Sequence, residues 1–343
     1  MKLTFHKNKA FTDFLRLEFL ILMIFVVSCT QNNVERLSVV HTVRVTKEIE
    51  LLQILDSVYA IQNDFQPTIA GSSGLVCILG DITYPPQQKV NCLDSLTGRL
   101  NWQRDIGTAS GIIMAHDGIY ITYGGRPGVQ RYDLAGNLIW SRSLVGTNVV
   151  YAYLNNNHIQ LFMHPERFLV LDRRTGEIVE EQKGEEIIFS TDTNSYVRSF
   201  GIESRSKDLG RLFWHMQLPS DIRLAPIFTE DSILLRTGRT RGSIIRVDQK
   251  TGEIVWETND YIISNIAYSS DLNALFALTN EDELVTIQYP TGKQSILANF
   301  SPNFPGEDEP WEQFEIAFDE ESKILSVLLG DSKQLFILRV KDL

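Results

Sequence analysis

Val90-Asn91-Cys92-Leu93-Asp94-Ser95-Leu96-Thr97-Gly98-Arg99-Leu100-Asn101-Trp102 and Ile244-Ile245-Arg246-Val247-Asp248-Gln249-Lys250-Thr251-Gly252-Glu253-Ile254-Val255-Trp256 share one frame. An alternating run ends at Asp, Thr-Gly follows, and a Trp closes the unit. The Asp side chain is placed to accept hydrogen bonds from backbone amides of the turn, and the Gly supplies the positive φ that closes it. The next strand sets an aliphatic residue, and a Trp two positions later, on one face.

The same frame recurs along the chain. Residues 168–179 repeat it with Asp172, Thr175 and Gly176; Asp133, Gly136 and Trp140 repeat it one residue shorter; Gly210 and Trp214 keep its end; Thr291-Gly292 keeps its turn. The glycines at 98, 136, 176, 210, 252 and 292 set a period of about 39 residues. Upstream of each turn lie two more short alternating runs, for example 112–115 and 119–123, separated by His116-Asp117-Gly118. Four short antiparallel strands in about 40 residues make a propeller blade. No stretch keeps a 3.6-residue period over three turns, so almost no helix is expected.

The pattern Leu-Asp-x-x-Thr-Gly-x-x-x-Trp resembles the tryptophan-docking repeat of propellers of the pyrroloquinoline-quinone (PQQ) type, over roughly residues 60–343. In that family the Trp packs between neighbouring blades, which the resemblance implies for Trp102, Trp140, Trp214 and Trp256. The expected fold is all-β: a single propeller of seven blades, with eight as the alternative, each of four antiparallel strands. Six units carry the mark. A seventh comprises 314–318, 324–329 and 335–340, and the sequence then ends, so an N-terminal strand from within 37–62 is expected to complete that blade and remove an open edge. Unit four is only 34 residues from Gly176 to Gly210. Its tract Arg205-Ser206-Lys207-Asp208 reads as lacking the usual strand.

The N-terminus reads as an address. Residues 19–27 are apolar, about 13 Å as a helix against a bilayer core of roughly 30 Å. That length suits the hydrophobic region of a signal peptide. Val26-Val27-Ser28-Cys29 resembles the bacterial lipoprotein box, which implies cleavage before Cys29 and lipid attachment to its thiol. An ordinary cleaved signal or a short buried helix is the alternative. The expected organisation is a signal peptide over 1–28, a polar tether over 29–36 and the propeller over 37–343. The implied location is the bacterial cell envelope, anchored to a membrane by lipid, and the outer membrane in a Gram-negative cell.

Composition and motifs narrow the chemistry. The chain has 343 residues and a formal charge of −11. An acidic surface repels phosphate backbones, which argues against nucleic acid. No Gly-x-Ser-x-Gly, His-Glu-x-x-His, phosphate-binding loop or Cys-x-x-Cys occurs. The histidines at 41, 116, 158, 164 and 215 are scattered, and acidic turns at 280–283 and 306–309 lack the full calcium-loop pattern. PQQ-dependent dehydrogenases need adjacent cysteines and a calcium site, and this chain has no adjacent cysteines. No cofactor, metal or catalytic residue is therefore assigned. The repeat is also similar to that of non-catalytic, lipid-anchored propellers of the outer-membrane-barrel assembly machinery. That similarity implies a protein-binding scaffold with an envelope protein as partner; a surface propeller binding a glycan or small ligand is the alternative.

Two further expectations concern specific side chains. A hairpin centred near Tyr84 and Pro85 sets Cys77 opposite Cys92, which leaves a disulfide and a pair of buried thiols both open. Loops joining second and third strands emerge on one face of the ring. There Arg126, Arg167, Arg236, Arg239 and Arg241 form a basic arc on an acidic chain, a candidate docking site for an acidic or phosphorylated partner.

Overall fold

The structure, a computed structural model, describes residues 43–343 except 57, 61–67, 82–88, 125–126, 146–147, 156, 165, 185, 199–200, 219–221, 223, 239–241, 259–260, 301–313, 330–333 and 342. Cys29 and the tether therefore lie outside the described residues. Three strands precede the repeat: β1 (Val43–Val45), β2 (Ile49–Leu55) and β3 (Tyr59–Ala60). Blade one is β4 (Ile69–Ser72), β5 (Leu75–Asp81), β6 (Lys89–Asp94) and β7 (Leu100–Asp105), with β3 also pairing β5. Blade two is β8 (Ala109–Ala115), β9 (Gly118–Tyr123), β10 (Gly128–Tyr132) and β11 (Leu138–Ser143). Blade three is β12 (Asn148–Asn155), β13 (His158–His164), β14 (Arg167–Asp172) and β15 (Ile178–Lys183). Blade four is β16 (Ile187–Ser190), β17 (Asn194–Arg198), β18 (Gly201–Ser206) and β19 (Leu212–Gln217). Blade five is β20 (Ile227–Phe228), β21 (Ser232–Arg236), β22 (Ile244–Asp248) and β23 (Ile254–Glu257). Blade six is β24 (Ala267–Ser269), β25 (Ala274–Leu278), β26 (Glu283–Gln288) and β27 (Gln294–Phe300). Blade seven is β28 (Phe314–Asp319), β29 (Ile324–Leu329) and β30 (Gln334–Val340), with β2 outside it.

The protein is thus an all-β, seven-bladed propeller of four-stranded antiparallel sheets, and the described residues contain no helix. The expected clasp is β2, which pairs antiparallel to β30 from Ile49 opposite Val340 to Leu55 opposite Leu335. A second N-terminal addition was not expected: β1 lies antiparallel outside β27 and makes a fifth strand of blade six.

Unit four corrects an expectation. Arg205 and Ser206 end a regular strand, β18, that pairs with β17 and β19. The strand is hard to recognise because its outward positions are charged and neutralise one another: Arg205 Nη2 stands 2.6 Å from Glu203 Oε2.

Hydrophobic clusters sit between blades rather than within them, because each sheet has two faces to bury. Leu79 and Val90 of blade one meet Ile112 and Ile121 of blade two. Phe276 and Leu284 of blade six meet Leu325 and Phe336 of blade seven. Val76 and Ile78 of blade one meet Ile324 and Ile337 of blade seven, which closes the ring. Strands β21, β25 and β29 are buried along their whole length, as expected of strands covered on both faces.

Candidate functional site

The repeat residues build the frame on which any site rests. Asp94 Oδ1 accepts from Leu96 N, Thr97 N and Thr97 Oγ1 at 3.1, 2.7 and 2.7 Å. Asp172 and Asp248 bind Thr175 and Thr251 in the same way, and Asp133 accepts from Asn137 N at 2.8 Å. These bonds hold all four carboxyls below the ordinary range. The aspartates are thus occupied by their turns.

Each of the four repeat tryptophans reaches forward into the next blade. The indole N–H groups of Trp102, Trp140, Trp214 and Trp256 donate to the carbonyls of Leu134, Arg173, Gln249 and Tyr289 at 2.9, 3.2, 2.9 and 2.8 Å. Their rings stand over Gly136, Gly176, Gly252 and Gly292, where an added Cβ would lie 2.6–2.9 Å from the indole. Those glycines also hold positive φ, so two independent demands fall on one residue. Gly98 answers to a different neighbour: the side chain of Leu55, from the clasp strand β2, stands 3.3 Å from where its Cβ would be. Gly210 departs from the expectation. Leu209 takes the left-handed conformation at φ 62° instead, in a turn drawn tight by Ser206 and Asp208. Between blades three and four, Glu180 replaces the Trp and pairs with Lys207 at 3.0 Å.

The cysteines and the basic arc have definite places. Cys77 and Cys92 are register partners in β5 and β6 and are joined in a disulfide. Arg126, Arg239 and Arg241 lie outside the described residues. Arg236 is a correction to the arc: it is only 5% exposed and donates from Nε and Nη2 to the carbonyl of Ile262 at 3.3 and 3.0 Å. Burial lowers its pKa to about 10. Arg167 is likewise committed within the chain, through Glu181 Oε1 at 3.0 Å and the carbonyl of Val145. Both guanidiniums brace loops: Arg236 adds its fork to the Ile262 carbonyl, which also accepts from Gly242 N at 3.2 Å, and Arg167 ties Val145 to Glu181.

The central channel holds a cavity of about 620 Å³ that sequence reasoning missed. Its walls come from Met114, Tyr153, Phe189 and Phe228 in the first strands of blades two to five, with Asn265 ahead of blade six and Arg236 also contributing. Phe189 and Phe228 stack at 3.9 Å between ring centroids, and Tyr153 meets both edge-on at 5.6 and 5.7 Å. The Tyr153 hydroxyl is buried without a hydrogen-bond partner. Burial, with Tyr151 nearby, pushes its pKa well above the usual tyrosine value. Apolar side chains make up the larger part of the lining, alongside Asn155, Thr191, Thr229, Glu230, Arg236, Gln249 and Asn265, which suits retention of a small ligand with an apolar moiety. These side chains come from separate blades and share no local motif. Among the described residues, no group of three or more His, Cys, Asp or Glu is gathered to hold a metal.

Residues 170–299, from β14 to β27, match the family model of the outer membrane protein assembly factor BamB. No curated protein matches the chain. Among solved structures, BamB from Moraxella catarrhalis is 15% identical, with 85% of this chain and 97% of that chain covered and a TM-score of 0.49. A chain in the crystal structure of the mitotic checkpoint complex is 12% identical, with 92% of this chain and 98% of that chain covered and a TM-score of 0.63. That likeness is one of fold alone, and fold does not imply function.

Proposed function

We propose that the protein is a non-catalytic scaffold of the bacterial cell envelope, anchored by lipid at Cys29, whose propeller binds another envelope protein. The observation that carries this reading is the match of residues 170–299 to the BamB family model. The Val26-Val27-Ser28-Cys29 sequence supports the anchor. The turn chemistry supports the lack of catalysis, since Asp94, Asp133, Asp172 and Asp248 are each engaged by their own turns.

Two measurements test it. Cys29→Ser should move the protein from the membrane to the soluble fraction, and a membrane-bound variant of precursor mass would refute the lipid anchor. Cross-linking in intact cells, followed by solubilisation and capture, should recover one envelope protein in stoichiometric amount. Recovery of wall polymer alone would refute the scaffold. The aromatic channel favours a second reading, retention of a small apolar ligand, which mass spectrometry of the natively purified protein would detect.

A further inference from the structure

The first strands of the blades run along the central channel and leave it at the face that carries their turns to the second strands. The cavity wall changes character in that direction. Within β8, β12, β16 and β20 it is Met114, Tyr153, Phe189 and Phe228. One or two residues further on, at or just beyond the strand exits, it is Ala115, Asn155, Thr191, Thr229 and Glu230. Arg236 ends a second strand and so lies toward the opposite face, where it donates to the Ile262 carbonyl. The channel is thus aromatic within and polar at one mouth.

Most polar groups of the lining are engaged inside the chain. Asn265 accepts from Ile316 N at 2.6 Å and donates to Ile316 O at 2.9 Å. Gln249 donates to the carbonyls of Thr229 and Ser232 at 2.7 and 3.0 Å, and Thr191 Oγ1 accepts from Asn194 N at 2.9 Å. Glu230 is exposed, and among the described residues no cation pairs with it.

The turns around this mouth are acidic. They carry Asp117, Asp192, Glu230, Asp231, Asp271 and Glu320-Glu321, against the lysine Lys323. Asp117 is paired with Arg131 and Arg173, Asp231 with Arg246, and Asp271 with Lys323. Among the described residues no cation pairs with Asp192, Glu320 or Glu321. Basic side chains of the same face, such as Arg174, Lys207 and Lys250, stand on turns between third and fourth strands, farther from the axis. The excess negative charge therefore lies at the channel entrance.

An aromatic wall behind a carboxylate mouth favours one class of guest. Ring faces attract a cation through their quadrupole. Carboxylates at the entrance draw cations in and repel anions. We propose that the channel binds an organic cation with an apolar, ring-containing body. The body lies against Met114, Tyr153, Phe189 and Phe228, and its ammonium group faces Glu230 at the mouth. This inference rests on the ligand-retention reading and names the class of ligand.

The test uses the full-length chain in an uncharged detergent, with carbon-13-labelled methionine methyl groups. The probes are 1-naphthylmethylammonium, 1-naphthalenemethanol and 1-naphthoate, which are alike in shape and differ in charge. Met114 lines the cavity, whereas Met163 is buried between blades two and three. The Met114 methyl resonance, assigned through Met114→Leu, should shift saturably with the ammonium probe while that of Met163 holds. The alcohol should bind about fivefold more weakly, and the carboxylate more weakly still. Glu230→Gln should weaken the ammonium probe by about threefold to fivefold, with the melting temperature held and the alcohol unaffected. Equal affinity for all the probes, or no effect of Glu230→Gln, would overturn the cation assignment and leave apolar retention standing. A Met114 resonance that no probe moves would overturn both.

Discussion

Trp214 of blade four stands against Gly252 of blade five so closely that a methyl group on that glycine would lie 2.6 Å from the indole ring. Gly252 also holds φ at 74°. Gly252→Ala should therefore cost about 2–4 kcal/mol through backbone strain and overpacking together. Trp214→Ala should cost about 3–5 kcal/mol. In urea unfolding, the double variant should lose less than the sum, because without the indole the added methyl group no longer overlaps it. Additive losses would mean that the two residues are not coupled.

The Cys77–Cys92 bridge joins residues 15 apart in sequence, both wholly buried. Closing a loop of that length should stabilise the fold by about 3 kcal/mol through the unfolded chain. Replacing both cysteines with alanine should lower the denaturation midpoint accordingly. Intact mass should rise by two hydrogen atoms on reduction under denaturing conditions. An unchanged mass would show free thiols.

Glu315 joins the last blade to the first. It accepts from Thr68 N at 2.6 Å, Thr68 Oγ1 at 2.9 Å and Ile69 N at 2.9 Å. Burial outweighs these bonds and raises its pKa to about 7 from the ordinary 4.5. The folded state therefore keeps a proton that the unfolded chain has already lost. This contribution is fully present below about pH 4.5 and is lost as pH rises through about 7, amounting to a few kcal/mol at most. Glu315→Gln mimics the protonated group and should flatten that part of the stability profile, with the variant the more stable protein at pH 8. Parallel profiles for both proteins would rule out titration of this carboxyl.

Tyr153 carries a buried hydroxyl without a hydrogen-bond partner. Removing an unsatisfied group relieves its desolvation cost, so Tyr153→Phe should leave stability unchanged or raise it by about 1 kcal/mol. A clear loss of stability in thermal unfolding would reveal a bound water or ligand on that oxygen.

The blades were legible because their turns are local chemistry. Asp94, Thr97 and Gly98 meet within one turn, so their types and spacing carry the geometry. Other features depend on the neighbouring blade, which no local pattern encodes. Arg236 looks like any loop arginine until Ile262, in the approach to blade six, supplies the carbonyl that holds it. Strand β1 is three residues long and has no period to detect. Tyr153, Phe189 and Phe228 meet in the channel only because blades three, four and five place their first strands around it.

The clasp between β2 and β30 has a kinetic side. Ile49 pairs with Val340, so a segment made early must wait for the last strand of blade seven. A chain emerging from its N-terminus can stack blades one to six on nearest-neighbour contacts alone. It then carries β2 as an unpaired edge until β30 arrives. Contacts so distant in sequence slow folding, because the entropy of closing the loop is lost before any contact rewards it. Ring closure is thus the last event in assembly. During that interval the exposed strand is open to holdase chaperones and to proteases, and removing β30 would prolong that exposure indefinitely.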